Sequence, residues 1–126
     1  MSPIFRRNEE KAARKQAAKG EIERLRALAA DDLAVDVLPG LGPDGPTHAT
    51  SMRVQQLCEY LLRDYPGAGQ MDTLNLMSRV NRALDRLESA GLVEPISVTR
   101  SPVWRITPLG ESALADGDVR DRLRGR

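Results

Sequence analysis

The chain has 126 residues, of which 40% are hydrophobic and 29% charged, enough for one modest folded domain with short additional segments. Its single cysteine excludes a disulfide framework and a cysteine-based zinc site, and its single histidine leaves few other metal or catalytic arrangements. Every apolar run is shorter than the roughly 18 residues that span a bilayer, and residues 1–8 lack the apolar stretch of a signal peptide. We therefore expect a cytoplasmic protein without membrane insertion, enzyme activity, metal or cofactor.

Charge is distributed unevenly, although the formal net charge is only +1. Residues 1–30 contain eight basic and four acidic side chains, residues 31–50 contain four aspartates and no base, and residues 51–115 contain seven of each kind. Such blocks favour segments that act separately. We therefore predict four segments: a basic N-terminal helix (1–36), an acidic linker rich in proline and glycine (37–50), a folded domain (51–115) and a polar, arginine-rich tail (116–126).

The first segment is predicted to be one helix over about residues 7–33, because it contains strong helix formers and no proline. Arg7, Lys11, Lys15 and Lys19 recur at intervals of four and form a basic stripe along its surface. Such a stripe is explained by a helix face that is simply exposed to solvent. It is also explained by a surface that binds an acidic partner, nucleic acid or an anionic membrane. The more apolar second half of the helix could dock on the following domain or pair with a second copy.

The stretch from Leu38 to Pro46 contains three prolines and three glycines in nine residues, which predicts a linker without helix or central strand. His48 follows it and is interpreted as a surface histidine. Ser51 is a suitable N-cap for the next helix, which is predicted to end at Tyr65. An apolar stripe marks the core-facing side of that helix: Val54, Leu57, Cys58, Leu61 and Leu62. Within it, Cys58 is interpreted as a small buried hydrophobe rather than a nucleophile.

A second long helix is predicted up to Ala90, with Asp72 as its N-cap and Gly91 as its stop. At about 100° per residue, one face of this helix is aliphatic and a well-separated face is polar and basic. The aliphatic face consists of Leu76, Val80, Ala83, Leu84 and Leu87. The polar face carries Asn75, Arg79, Arg82 and Arg86.

Over residues 92–106 the spacing of apolar residues changes from helical to every second position, which predicts a short antiparallel hairpin. Ile96 and Val98 have this spacing before a turn, and Trp104 and Ile106 have it after the turn. Thr107 then caps another helix, which has proline at its first position and glycine at 110. Two apolar residues of the tail, Val119 and Leu123, indicate one more helical turn.

Two stretches have a more specific amino-acid sequence: residues 80–93 are VNRALDRLESAGLV, and residues 104–110 are WRITPLG. The first stretch resembles the recognition helix and the following strand of winged helix-turn-helix proteins, and the second resembles their second wing strand running into the next helix. Among these proteins, the sequence is most similar to MarR-type and PadR-type regulators. The resemblance covers about residues 51–115. It implies a mainly α (α+β) fold with a short two-stranded wing, preceded here by the long N-terminal helix. Only residues 70–75 remain for the family's second helix, which is either a single turn or merges with the third.

The resemblance implies a DNA-binding transcriptional regulator or nucleoid-type protein, whose third helix (about 76–90) enters the major groove while the wing contacts the backbone. The DNA-binding residues that it implies are Asn75, Ser78, Arg79, Arg82, Arg86 and Arg100. The basic stripe of Arg7, Lys11, Lys15 and Lys19 is an auxiliary surface. The alternative is a non-catalytic winged helix that binds another protein, with the N-terminal helix as a docking or dimerisation arm. A homodimer is expected by analogy.

Overall fold

The computed structural model describes residues 3–43, 51–96 and 103–125, with side chains described from residue 8 onward and, after the first gap, from residue 53. Within these ranges the elements are α1 (Pro3–Ala27), α2 (Ala30–Leu41), β1 (Ser51–Arg53), α3 (Val54–Leu61), α4 (Gln70–Ser89), β2 (Val93–Pro95), β3 (Val103–Ile106), α5 (Pro108–Asp116) and α6 (Val119–Arg124). Most of the described chain is helical and the sheet is small, which confirms the mainly α (α+β) class. The predictions for His48, Val98 and Arg100 lie outside the described residues.

The core is aliphatic and lies where α2 and α3 pack against α4. The predicted inner face of α4 is confirmed, because all five of its aliphatic side chains are fully buried. Leu57 and Cys58 of α3 are also 0% exposed. Each buried leucine contributes about 1.5–3 kcal/mol. The helix α3 ends at Leu61, earlier than the predicted Tyr65.

The N-terminal segment forms two helices, so the prediction of one continuous helix is wrong. The break lies at Leu28 and Ala29, where Ala29 has extended backbone (φ −63°, ψ 157°). Asp31 and Asp32 then occupy the first turn of α2, where the positive end of the helix dipole favours carboxylates. This pair of aspartates was the sequence signal for a new helix start.

The predicted linker begins inside a helix, which corrects the prediction that residues from 38 onward are non-helical. Residues 38–41 form the last turn of α2, and Leu38 and Leu41 are 0% and 1% exposed. Proline in a helix interior costs about 3 kcal/mol, while burial of a leucine contributes about 1.5–3 kcal/mol. The two buried leucines therefore offset the cost of Pro39.

The strand β3 is the centre of a three-stranded antiparallel sheet with the order β1-β3-β2. The predicted hairpin over residues 92–106 is confirmed, and its pairing begins at Val93, opposite Ile106. The edge strand β1 was not predicted, because three residues are too few to show an alternating pattern. The prediction that Ser51 caps a helix is wrong, since Ser51 lies in β1 opposite Arg105.

The connection from α4 to α5 agrees with the prediction. Gly91 has a φ of +78°, and the backbone N–H of Leu92 donates to the carbonyl of Leu87 at 2.9 Å, which closes the end of α4. The hydroxyl of Thr107 accepts from the N–H of Gly110 at 3.1 Å and donates to the carbonyl of Gly91 at 2.6 Å. A side chain at Gly110 would collide with the carbonyl of Leu92, so the close approach requires glycine.

The C-terminal segment packs on the domain as α6. Val119 and Leu123 are 5% and 1% exposed, which confirms the predicted extra turn. Two arginines of α6 form ion pairs: Arg120 with Asp32 of α2 at 3.0 Å and Arg122 with Asp118 at 2.9 Å. The last helix is therefore held by both apolar and charged contacts.

Candidate nucleic-acid interface

The helix α4 starts at Gln70, so the prediction that Asp72 is its N-cap is wrong. Gly69 is the N-cap, and the Asp72 carboxylate accepts a hydrogen bond from the Gly69 backbone N–H at 2.9 Å. An acidic side chain at the third helical position commonly satisfies a free N–H in this way. Residues 70–75 are thus the first turns of α4, and the predicted short helix has merged with the long one.

One side of α4 faces outward along the whole helix, and it carries both polar and apolar groups. Asn75, Ser78 and Arg82 are exposed there, and Arg79 lies half-buried at the edge of this side. Two apolar residues near the helix start are also exposed, Met71 at 68% and Leu74 at 43%. The helix thus combines hydrogen-bonding groups, two guanidinium groups and an apolar patch on one surface.

The three arginines of α4 differ in their partners. Arg79 and Arg82 form neither an ion pair nor a hydrogen bond with any residue that the structure describes. The Nε of Arg86 instead donates to Asp31 of α2 at 2.7 Å, and its Nη2 donates to the Leu123 carbonyl at 3.3 Å. The hydrogen bond to Asp31 and its charge raise the pKa of Arg86. The Arg86 guanidinium is therefore engaged within the fold, and its contact with DNA stays a prediction.

The acidic block of the sequence supplies partners for arginines elsewhere in the fold. Asp31 pairs with Arg86, Asp32 pairs with Arg120, and Asp36 lies 3.8 Å from Arg24 of α1. For these three aspartates, the uneven charge along the chain reflects complementary ion-pair partners rather than separately acting segments.

Arg53 is a candidate that the sequence did not reveal, because β1 was not predicted. Its Cα pairs with that of Val103, the first residue of β3, which places Arg53 beside the tip end of the hairpin. Its backbone N–H donates to Gln56 at 2.9 Å, and its side chain is exposed. No ion pair of Arg53 occurs within the described ranges. Arg53 is thus an exposed cation where β1 and α3 meet.

The helix α1 crosses the turn between α3 and α4. A side chain at Gly67 would place its Cβ 2.6 Å from the Arg14 carbonyl, so the two backbones are in close contact. The Tyr65 hydroxyl donates to Glu21 at 2.8 Å. Burial raises the pKa of Glu21, but hydrogen bonds from Arg24 and Tyr65 outweigh it, and the pKa is lowered from 4.5. The docked part of α1 thus has a fixed position beside the start of α4.

The predicted basic stripe is only partly described. Lys11, Lys15 and Lys19 are exposed on α1, and the side chain of Arg7 lies outside the described ones. Arg14, which was not included in the stripe, is exposed beside Lys15. The basic surface of α1 therefore includes a residue that the four-residue spacing omitted.

The described residues contain no group of three or more histidine, cysteine or acidic side chains arranged to hold a metal ion. None of their helices is long and apolar enough to cross a membrane. Cys58 is fully buried, as predicted, and burial raises the pKa of its thiol to about 12, so it stays protonated at neutral pH.

Comparisons of the chain with protein-family models, curated proteins and solved structures found no match. The interpretation of function therefore depends on the chemistry of the surfaces on α4, β1 and α1.

Proposed function

We propose that the chain is a winged helix protein that binds double-stranded DNA, as a transcriptional regulator or nucleoid-type protein. The element order α2, β1, α3, α4, β2, β3, with β1 paired to the hairpin, supports this fold. In this interpretation α2 is the first helix of the fold, α3 the second and α4 the third. The assignment supplies the second helix that residues 70–75 alone could not provide.

The absence of ion-pair partners at Arg79 and Arg82 among the described residues carries the proposal. Several other arginines are used in ion pairs: Arg24, Arg86, Arg105, Arg120 and Arg122. A guanidinium group pairs well with phosphate oxygens and with the acceptor edge of guanine. The two arginines of α4 are therefore available to a polyanion.

The proposed contacts follow from position on the fold. With α4 in the major groove, Arg79 and Arg82 reach base edges or phosphates, and Asn75 and Ser78 flank them. Arg53 and Arg100, the latter between β2 and β3 in the sequence, contact the phosphate backbone. Arg86 is left out, because Asp31 and the Leu123 carbonyl occupy its guanidinium.

The test measures binding of a labelled random duplex by fluorescence anisotropy across a series of salt concentrations. We expect binding at low salt, and we expect the double variant R79Q/R82Q to weaken it by about tenfold or more. The slope of log affinity against log salt should fall by about one for each phosphate contact that is lost. The matched control is R26Q/R124Q, which removes two exposed arginines from α1 and α6.

Two results would reject DNA binding through α4. One is no duplex binding by the wild type at low salt. The other is an equal loss of affinity in R79Q/R82Q and R26Q/R124Q, because net charge alone would then explain the effect. Circular dichroism of each variant checks that the fold is retained.

The exposed pair Met71 and Leu74 favours a second candidate, in which this side of α4 binds a protein and α1 serves as a docking or dimerisation arm. Apolar side chains in the centre of an exposed surface are typical of protein interfaces. Sedimentation velocity tests whether the protein that this side of α4 binds is a second copy of the chain. If M71S/L74S abolishes a concentration-dependent dimer and L109S, at another exposed leucine (52%), does not, this side of α4 is a dimer interface.

A further inference from the structure

The N-terminal half of α1 extends beyond the surface that its C-terminal half covers. Ala18, Ile22 and Leu25 are buried at 1%, 6% and 1% exposure, whereas residues 8–17 are all exposed. The contact of Arg14 with Gly67 marks the edge of the domain. Residues 8–13 thus continue the helix beyond this contact, and Arg14 and Lys15 lie at the contact itself.

The side of α1 that docks on the domain becomes cationic where the helix leaves it. With Arg14 at 0° and about 100° per residue, the buried Ala18, Ile22 and Leu25 fall between about 20° and 80°. Lys11 falls at about 60° and Lys15 at about 100° on the same scale. We call Lys11, Arg14 and Lys15 the cationic overhang.

The cationic overhang lies beside the turn that precedes α4. A groove there is lined by Glu10, Pro66 and Gly67 together with the three cations of the overhang. Gly69 and Gln70, at the start of α4, follow this turn directly. The three cations form no ion pair within the part of the chain that the structure describes, and Glu10 is the single carboxylate of the groove. An anion would meet a positive surface continuous with the start of α4.

We propose that the cationic overhang binds the phosphate backbone of the same duplex, next to the segment contacted by α4. This inference rests on the proposed DNA binding. Lys11 to Lys15 span about 6 Å along the helix, which corresponds to about two base pairs at roughly 3.4 Å each. The overhang therefore lengthens the contacted duplex and adds affinity that does not depend on base sequence.

A charge-matched pair of variants tests this surface. K11Q/R14Q removes two cations from the overhang, and R26Q/R124Q removes two from exposed positions outside both the overhang and the predicted basic stripe. Anisotropy is measured with a short duplex and one twice as long. On the long duplex, K11Q/R14Q should reduce the salt slope by about two, while R26Q/R124Q changes it little. Hydroxyl-radical footprinting should show a protected region shorter by about two base pairs for K11Q/R14Q.

The outcomes separate this inference from the proposed function. If R79Q/R82Q weakens binding and K11Q/R14Q behaves like R26Q/R124Q, the overhang proposal fails and DNA binding through α4 stands. If the wild type binds no duplex at low salt, both fail. If K11Q/R14Q releases the chain from phosphatidylserine vesicles and leaves duplex binding unchanged, the overhang recognises lipid headgroups and the proposal is overturned.

Discussion

The middle and the C-terminal end of α4 carry the same residue type in different roles. Near the C-terminal end, Arg86 is held by Asp31 of α2 and by the carbonyl of Leu123 in α6. Arg82 and Arg79, one and two turns earlier, have no such partner among the described residues. All three arginines lie on one face in a helical projection, so spacing alone does not distinguish them. The difference comes from what distant parts of the chain place beside each guanidinium.

The largest expected effect contrasts the interior of α4 with its outward side. Leu84 is 0% exposed, so Leu84→Ala should lower the free energy of unfolding by about 2–5 kcal/mol. Arg82→Gln, at an exposed position, should change it by no more than about 0.5 kcal/mol. Urea unfolding measures both. Equal losses would mean that the outward side is also structural.

The contact between α1 and the turn before α4 gives the next largest effect. The backbone of Arg14 lies against Gly67, so Gly67→Ala should lower the free energy of unfolding by about 1–3 kcal/mol. Gly20→Ala is the control, because the added Cβ would meet no described atom within 4 Å apart from the adjoining backbone of its own helix, α1. That variant should be more stable by about 0.5–1 kcal/mol. An unaffected Gly67→Ala would contradict the close docking of α1.

A smaller effect is expected when the C-terminal end of α4 loses its carboxylate partner. Asp31→Asn removes the negative charge beside the Arg86 guanidinium and one of its acceptor oxygens, so the urea midpoint should fall. The double variant D31N/R86Q should be less destabilised than the sum of the single variants, which a double-mutant cycle measures. Duplex affinity should stay at the wild-type value. Strict additivity would show that the pair contributes nothing.

The smallest expected effect concerns pH and the docked part of α1. The pKa of Glu21 is lowered from 4.5 in the folded chain, so its ionised form favours the folded state. This contribution is present above pH 4.5 and is lost as pH falls through the lowered pKa. Urea unfolding from neutral pH to below 4.5 should show a smaller acid-induced loss of stability in Glu21→Gln than in wild type. Identical pH profiles would contradict this role of Glu21.

Features that depend on neighbouring residues were predictable from sequence. The aliphatic face of α4 follows from helical periodicity, Gly91 from the need for positive φ, and the Thr107 cap from its position before proline. Each of these signals lies within a few residues of the structure that it specifies. The hairpin over residues 92–106 was predicted for the same reason.

Features that depend on distant residues were not predictable. The helical conformation around Pro39 is maintained by Leu38 and Leu41, which pack in the core with residues of other helices. Ser51 joins a sheet because β3 lies beside it, and Arg86 is neutralised by an aspartate 55 positions away. For the candidate site, the sequence identified Arg79 and Arg82 and could not show that Arg86 is engaged or that Arg53 stands beside the hairpin.

The position of Trp104 gives the molecule a built-in optical probe. It is the only tryptophan of the chain, it lies on the central strand β3, and it is 6% exposed. Its indole N–H is buried without an acceptor among the described residues. Emission from this indole should shift to longer wavelength when the sheet opens to water, so a single fluorescence trace reports loss of the native core without any attached dye.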